Sequence, residues 1–357
     1  MSSVDRVQKA LVVDAPKTPF VLKTVPIPKP GPGEVLVKII ASGLNPIDWI
    51  LQTRDPPVMN TTYPAIFGFE GAGDVEEVGE NVENFSKGDR VSKSNHNGYS
   101  GFQQYALAPT EFLGKIPNDL SHAQAASVSL TFTTAVYGLL PADPIGAGLN
   151  PTFDDKVKFP GEAALVVGGS SSVGQYAIQI LRYAGFGTII AYASSKHAGF
   201  LKSLGATHVI DRTEVPFADL PGALHKIYPH PVKTIYSAIT SVEAQDAAYA
   251  SLSSDGKLIV ATIKPVPRDG PDTAGRKVYG VIGTPYTPVN RPFGLLLWKH
   301  LSRLLQQGVI QPNRIEEIPN GLLGVVDGLK KLEHGEDVVS ICNEYDNSGA
   351  DNDSYSI

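Results

Sequence analysis

The chain has 357 residues, 42 % apolar and 18 % charged, a globular composition with room for two domains of ordinary size. A net charge of −6 with scattered Lys and Arg gives no basic field for a polyanion, so nucleic acid is not an expected partner. No apolar run approaches the roughly 18 residues of a membrane span, the start MSSVDRVQKALVV lacks the parts of a signal peptide, and the lone Cys342 leaves no internal disulfide; a soluble, cytoplasmic protein without a membrane partner is expected.

Residues 1–125 carry short β-branched runs (ALVV, EVLVKIIASGL, GAGDVEEVG, DRVSKS) cut by Gly, Pro and Asp-Arg turns, which predicts an irregular β domain. From Ala123, AQAASVSLTFTTAVYGLL has the spacing of a helix that packs on one face, and the domain switch is placed there. Residues 141–160 hold four prolines without periodicity, a long loop that suits a lid, a binding loop or a disordered insert. Next comes a strand, a glycine turn and a helix in AALVVGGSSSVGQYAIQILRYAG. After it TIIAYAS, HVIDR, TIYSAIT, KLIVATI and KVYGVIG alternate with helical stretches such as HAGFLKSLGA, the pattern of a parallel sheet covered on both faces. A helix over 292–308 is followed by strand, helix and strand in RIEEIP, GLLGVVDGLKKLEHG and DVVSI, and residues 343–357 read as a polar, mobile tail.

The turn Gly168-Gly169-Ser170-Ser171-Ser172-Val173-Gly174 follows a buried strand and opens a helix. Small residues there let the backbone approach a pyrophosphate, and the helix N-terminus offers N–H groups and a partial positive charge. Its Gly-x-x-Ser-x-x-Gly spacing departs from GxGxxG, so alone it suits an ordinary strand-to-helix turn equally well. The second strand separates the two readings. About 20 residues on, where an NAD-specific domain carries an acid for the ribose, the chain reads Ala193-Ser194-Ser195-Lys196. Two hydroxyls and an ammonium suit a 2′-phosphate, each charge-assisted bond contributing roughly 1.5–3 kcal/mol. Arg212, after the third strand, offers a second cation. NADPH is the expected cofactor; the alternative for Lys196 and Arg212 is plain solvation.

Four stretches, PGPGEVLVKIIASGLNPIDW (Pro30 to Trp49), YPAIFGFEGAGDVEEVG (Tyr63 to Gly79), FSKGDRV (Phe85 to Val91) and GGSSSVGQYAIQ (Gly168 to Gln179), together resemble the medium-chain dehydrogenase/reductase superfamily over nearly the whole chain. Asn45-Pro46 with Asp48, the serine-rich turn and the 141–160 insert look most like its zinc-free quinone oxidoreductase branch, above all the fungal enoyl reductases that act in trans with polyketide synthases. The resemblance implies an α/β fold. A GroES-like β domain over 1–125, completed by 309–342, would accompany a Rossmann doubly wound parallel sheet over 126–308, with the active site in the cleft between them. It also implies a biosynthetic enzyme as a partner and leaves monomer and homodimer both open.

Zinc-using members need a cysteine in the SGL segment and a histidine before the glutamate; the matching positions here are Asn45 and Phe69, which supply neither thiolate nor imidazole. The four-cysteine structural lobe is impossible with one cysteine, and His96 reads as a loop residue, so no metal is expected. Without a Lewis acid, hydride transfer to an activated alkene or quinone asks least of the protein. Asn45 is a candidate donor to the nicotinamide amide or the substrate carbonyl, or else a turn former; Thr134 in FTTAVYGL is a candidate beside the nicotinamide, or else a packed helix residue. Asp48 is expected to brace an Asx-type turn and Glu70 to keep a structural hydrogen bond. Trp49 walls the site or packs in the core, and Tyr137 is expected to pack. Tyr99 and Tyr63 are candidate proton donors, with water the alternative because ILQTRDPP contains no tyrosine. The apolar stretch GTPYTPVNRPFGLLLW points to a small hydrophobic substrate. A metal-free carbonyl reductase or alcohol dehydrogenase, and a non-catalytic NADPH-binding partner protein, are the rival readings.

Overall fold

The computed structural model describes residues 6–54, 61–94, 99–268, 275–334 and 340–343. His96 and all of the expected tail except Asn343 lie outside them. The chain forms two compact units: residues 1–130, 297–306 and 312–357 make the first, and residues 131–296 and 307–311 the second.

The first unit opens with β1 (Val7–Val13), β2 (Val21–Pro26), β3 (Glu34–Gly43), α1 (Pro46–Thr53), β4 (Ala65–Ile66), β5 (Glu70–Val78), β6 (Arg90–Ser94), β7 (Tyr105–Pro109), β8 (Leu113–Lys115) and α2 (His122–Ala126). Next, α3 (Ser129–Leu139) starts in this unit and runs into the second. β1 pairs antiparallel with β2 and β4, and β3 pairs antiparallel with β5 and β7. Val35, Val37 and Ile39 of β3 alternate into a buried cluster with Leu11, Val13, Phe67 and Phe102, the period of two that a half-buried strand requires.

Two helical details differ from the sequence reading. Asn45-Pro46-x-Asp48 is a helix start rather than an isolated Asx-type turn: Pro46 sits in the first turn of α1, where its missing N–H costs nothing, and Asn45 N–H donates to Asp48 Oδ2 at 2.9 Å. The single helix expected from Ala123 breaks at Ser127, which caps α2 and whose hydroxyl donates back to the Gln124 carbonyl at 2.8 Å. The break leaves Leu130 N–H without an intrahelical acceptor, and Glu70 takes it.

The second unit holds β9 (Ala163–Val167), α4 (Ser172–Tyr183), β10 (Thr188–Ala193), α5 (Ala198–Leu204), β11 (His208–Asp211), α6 (Leu220–Ile227), β12 (Thr234–Ser237), α7 (Val242–Ala250), β13 (Lys257–Val260) and β14 (Lys277–Gly280). α8 (Arg291–Gln306) is divided between the units at 296/297. The strands run parallel in the order β11-β10-β9-β12-β13-β14. That is the Rossmann order, and strand direction of connection reverses between β9 and β12, where such sheets bind ligands at their carboxyl ends. All five residues of β9 are buried, as a central parallel strand covered on both faces must be.

Residues 141–160 form a strap bonded to this unit rather than a disordered insert. The amides of Ala147, Leu149 and Asn150 donate to the carbonyls of Gly138, Leu139 and Leu140, Tyr279 Oη donates to Asp143 at 2.9 Å, and Phe153 stacks on Phe293 at 5.6 Å. Lys257 Nζ donates to the Ala147 carbonyl, and Lys277 pairs with Asp143 at 3.3 Å. Composition marks a loop here but not the partners that arrive more than a hundred residues later.

The chain returns to the first unit through β15 (Glu316–Ile318), α9 (Gly321–Glu333) and β16 (Ser340–Asn343). β16 pairs parallel with β15 and antiparallel with β3, with Ile341 opposite Gly43. The fold is α/β, a GroES-like β unit with a Rossmann parallel-sheet unit. No helix among the described residues is long and apolar enough to cross a membrane.

Candidate functional site

The glycine turn lies at the carboxyl end of β9, beside the switch point. Gly168 has φ +79°, a Cβ on Gly169 would meet Ala191 Cβ at 2.9 Å, and a Cβ on Gly174 would run into the Gly168 carbonyl. Each glycine is therefore required by its surroundings. Ser171 caps α4, its Oγ accepting from Gly174 N–H at 3.1 Å and donating to the Gly168 carbonyl at 2.8 Å. Ser172 and Val173 N–H are the first-turn donors without an acceptor among the described residues, and no acid stands in that turn. Ser170, Ser171, Ser172 and Val173 are partly exposed, so a pyrophosphate fits this cradle: two amides, a helix dipole and no competing carboxylate.

The segment expected to read the ribose follows β10. Ser194 precedes a short 3-10 turn, Ser195–His197, and Ser194, Ser195, Lys196 and Arg212 are accessible at the carboxyl edge of the sheet. Parallel pairing sets Ala193 opposite Asp211, which brings a carboxylate to this place. The Ser195 hydroxyl, with further bonds from Thr213, holds the Asp211 carboxyl down at about 2. Thr213 N–H and Oγ1 lie 2.9 and 2.8 Å from Asp211 Oδ1. The expectation that no carboxylate faces a 2′-phosphate is thus corrected. Ser195 is committed to Asp211, and Lys196 and Arg212 are exposed cations of the segments after β10 and β11. The residues that sequence reasoning sought 20 positions after the turn omit this acid because it comes from the third strand.

Thr134 packs against the segment after β14. A Cβ on Gly283 would meet Thr134 Oγ1 at 2.7 Å, Thr133 Oγ1 donates to the Gly283 carbonyl at 2.8 Å, and Tyr236 Oη donates to the Thr134 carbonyl at 3.1 Å. Tyr137 is fully buried, as expected of a packing residue. In the GTPYTPVNRPFGLLLW stretch, Asn290 Nδ2 donates to the Thr284 carbonyl at 3.0 Å, while Val289 and Leu295 are exposed.

Asn45, Asp48 and Glu70 form one buried network in the first unit. Asn45 Nδ2 donates to Glu70 Oε1 at 2.9 Å, Leu130 N–H donates to Glu70 Oε2 at 2.8 Å, and Gly68 N–H donates to Asp48 Oδ1 at 3.0 Å. Burial pushes Asp48 up to about 8 and Glu70 up to about 7 against these hydrogen bonds. One hydrogen of the Asn45 amide is thus spent inside the protein. Phe69 packs in the apolar cluster with Phe67 and Phe102. An amide nitrogen bound to a carboxylate and a buried phenyl ring do not fit a zinc ion, and no group of three or more His, Cys, Asp or Glu among the described residues is placed to hold a metal.

Tyr99 stands outside this network. Its hydroxyl donates to Glu34 Oε1 at 2.7 Å, and that bond, with burial, pushes it up to about 12, which makes it a poor acid at neutral pH. Trp49 and Tyr63 are partly buried against the β core. Sequence reading missed Lys93: it is fully buried, burial lowers its ammonium to about 7, and Nζ donates to the Tyr99 carbonyl. The alternation of β6, which puts Lys93 on the same face as Val91, is the signal that points to it.

The alcohol dehydrogenase GroES-like domain family matches residues 31–118, and the zinc-binding dehydrogenase family matches residues 172–283. Dehydrogenase azaJ of Aspergillus niger is 30% identical over 344 residues, covering 91% of this chain and 95% of its own. A chloroplast envelope quinone oxidoreductase homolog of Arabidopsis thaliana is 33% identical over 68% of this chain and 70% of its own, and trans-enoyl reductase tndF of Aspergillus flavipes is 35% identical over 58% and 60%. Among solved structures, a mycobacterial protein in complex with NADPH is 25% identical with a TM-score of 0.75, covering 94% of this chain and 100% of its own.

Proposed function

The chain belongs to the medium-chain dehydrogenase/reductase family and is an NAD(P)-dependent oxidoreductase; from that premise we propose that it is an NADPH-dependent reductase of activated alkenes (α,β-unsaturated carbonyls) or quinones that works without a metal. The observation that carries the reading is the donor chemistry at Asn45 and Phe69. With the Asn45 amide on Glu70 and Phe69 in the core, these positions supply no Lewis-acid site, so the acceptor must bring its own activation. Relatives named trans-enoyl reductase and quinone oxidoreductase homolog support the same choice.

When bound, NADPH supplies the hydride that adds to the β-carbon of the acceptor. Ser172 and Val173 N–H would hold its pyrophosphate, Lys196 and Arg212 would attract its 2′-phosphate against Asp211, and Thr134 would lie at its nicotinamide end. The remaining Asn45 N–H stabilises the enolate oxygen or the nicotinamide amide. The proton added at the α-carbon comes from water or Tyr63 rather than from Tyr99, which gives its hydroxyl to Glu34 and is pushed up to about 12. Exposed Val289 and Leu295 support a small hydrophobic substrate. A biosynthetic partner enzyme is part of the same proposal, supported by the name of the relative tndF, a trans-enoyl reductase.

The test follows NADPH absorbance with a panel of enones, enals, quinones and saturated aldehydes. Turnover of the alkenes or quinones, and none of the aldehydes, is expected. Aldehyde turnover alone overturns the reading in favour of a carbonyl reductase, and tight NADPH binding without turnover overturns it in favour of a non-catalytic partner. Stoichiometric zinc in plasma emission would overturn its metal-free part.

A further inference from the structure

The two helices beside the switch point repeat one frame. At α4, Ser171 is the cap and Gln175, four residues on, donates its amide Nε2 to the Ser170 carbonyl at 2.9 Å. At α7, Ser241 caps by accepting from Ala244 N–H at 3.3 Å, and Gln245 donates to the Thr240 carbonyl at 2.8 Å. In each case the glutamine folds back and fixes the peptide just before the cap. The other ends of the two amides differ. Gln245 Oε1 accepts from Val266 N–H at 2.8 Å, so both ends of that clamp are tied by protein. Gln175 Oε1 is buried, in a residue 7 % exposed, and no donor among the described residues reaches it.

A buried carbonyl without a donor costs about 1–3 kcal/mol. At α4 that cost stands at the turn where the dinucleotide docks. We propose that Gln175 Oε1 accepts a hydrogen bond from a ribose hydroxyl of the bound dinucleotide, completing the clamp that Val266 completes at Gln245. The inference rests on the nucleotide site and not on which acceptor is reduced. Pyrophosphate oxygens only accept, so they cannot fill an acceptor; the riboses on either side of the pyrophosphate carry the O–H donors. Gln175 therefore contributes mainly in the complex, and Gln245 in the free protein.

Fluorescence titration with NADPH, displacement by inorganic pyrophosphate and thermal melting of the free protein test this on Gln175→Leu and Gln245→Leu. Gln175→Leu is expected to raise the NADPH Kd about tenfold, one hydrogen bond's worth, and to leave displacement by pyrophosphate within about twofold. Its melting temperature changes little, because a hydrogen bond and an unpaired acceptor are lost together. Gln245→Leu is expected to lower the melting temperature and leave the NADPH Kd within about twofold. Gln175→Met, of similar length and without an acceptor, should repeat the Gln175→Leu result and serves if the leucine variant folds poorly. An NADPH Kd unchanged in the Gln175 variants overturns the proposal. Equal weakening of NADPH and pyrophosphate also overturns it, confining Gln175 to holding the turn.

Discussion

In the β-rich unit two helix starts are closed by carboxylates of the chain, while in the nucleotide unit the start of α4 is left without one. Glu70 takes Leu130 N–H at the start of α3 at 2.8 Å, and Asp48 takes Asn45 N–H at the start of α1 at 2.9 Å. α4 has no acid in its first turn, and α7 has Glu243. The same electrostatics serves opposite ends: an acid from the chain turns a helix start into a structural joint, and glycine in place of the acid turns it into a ligand site. A filled end should matter for stability and an open one for affinity.

The sharpest way to break this comparison is Gly174→Val. Its Cβ would collide with the Gly168 carbonyl, whereas Ala244 at the same position of α7 already carries a Cβ. Loss of NADPH binding by more than about a hundredfold, roughly 2.7 kcal/mol, is expected in a fluorescence titration, with the far-ultraviolet circular dichroism of the wild type retained. Affinity within tenfold of wild type would show that the open end is not where the nucleotide binds. Glu70→Ala addresses the filled end. It removes the acceptor of the Leu130 N–H and of the buried Asn45 amide, and urea unfolding should record a loss of about 2–4 kcal/mol, with the NADPH Kd changed far less than by Gly174→Val.

The third test is of pH dependence. Glu70 and Asp48 titrate higher in the folded protein than in the unfolded chain, so the stability they contribute is full below about pH 4 and falls as pH rises through about 7 to 8. Lys93 titrates lower when folded, so its contribution is full above about pH 10.5 and is lost as pH falls through about 7. The opposed slopes, each at most about 1.4 kcal/mol per pH unit and per group, predict a minimum near neutral pH in urea unfolding free energy. Glu70→Gln should flatten the falling limb and Lys93→Met the rising one.

The sequence carried those parts of the fold that depend on neighbours along the chain. The runs AALVV, TIIAYAS and TIYSAIT, each next to a turn and a helix, announce a parallel sheet, and Gly168 to Gly174 announces the turn between β9 and α4. What depends on register across strands was not legible. Asp211 reaches Ser195 only because β11 lies parallel to β10 with Ala193 opposite Asp211. The break between α2 and α3 follows from Ser127 and from Glu70, which is 60 residues away from Leu130. Burial of Lys93 reads as error in a local pattern until the face of β6 is known.

The strap over 141–160 has a consequence for synthesis on the ribosome. Asp143 finds Tyr279 across 136 residues, and Phe153 waits for Phe293. Until that later chain emerges, Phe153, buried in the finished protein, lacks the ring it stacks on. At about 5–20 residues per second, the nascent second unit carries this sticky segment for roughly 10 s, and it is during that interval that aggregation or chaperone capture would act.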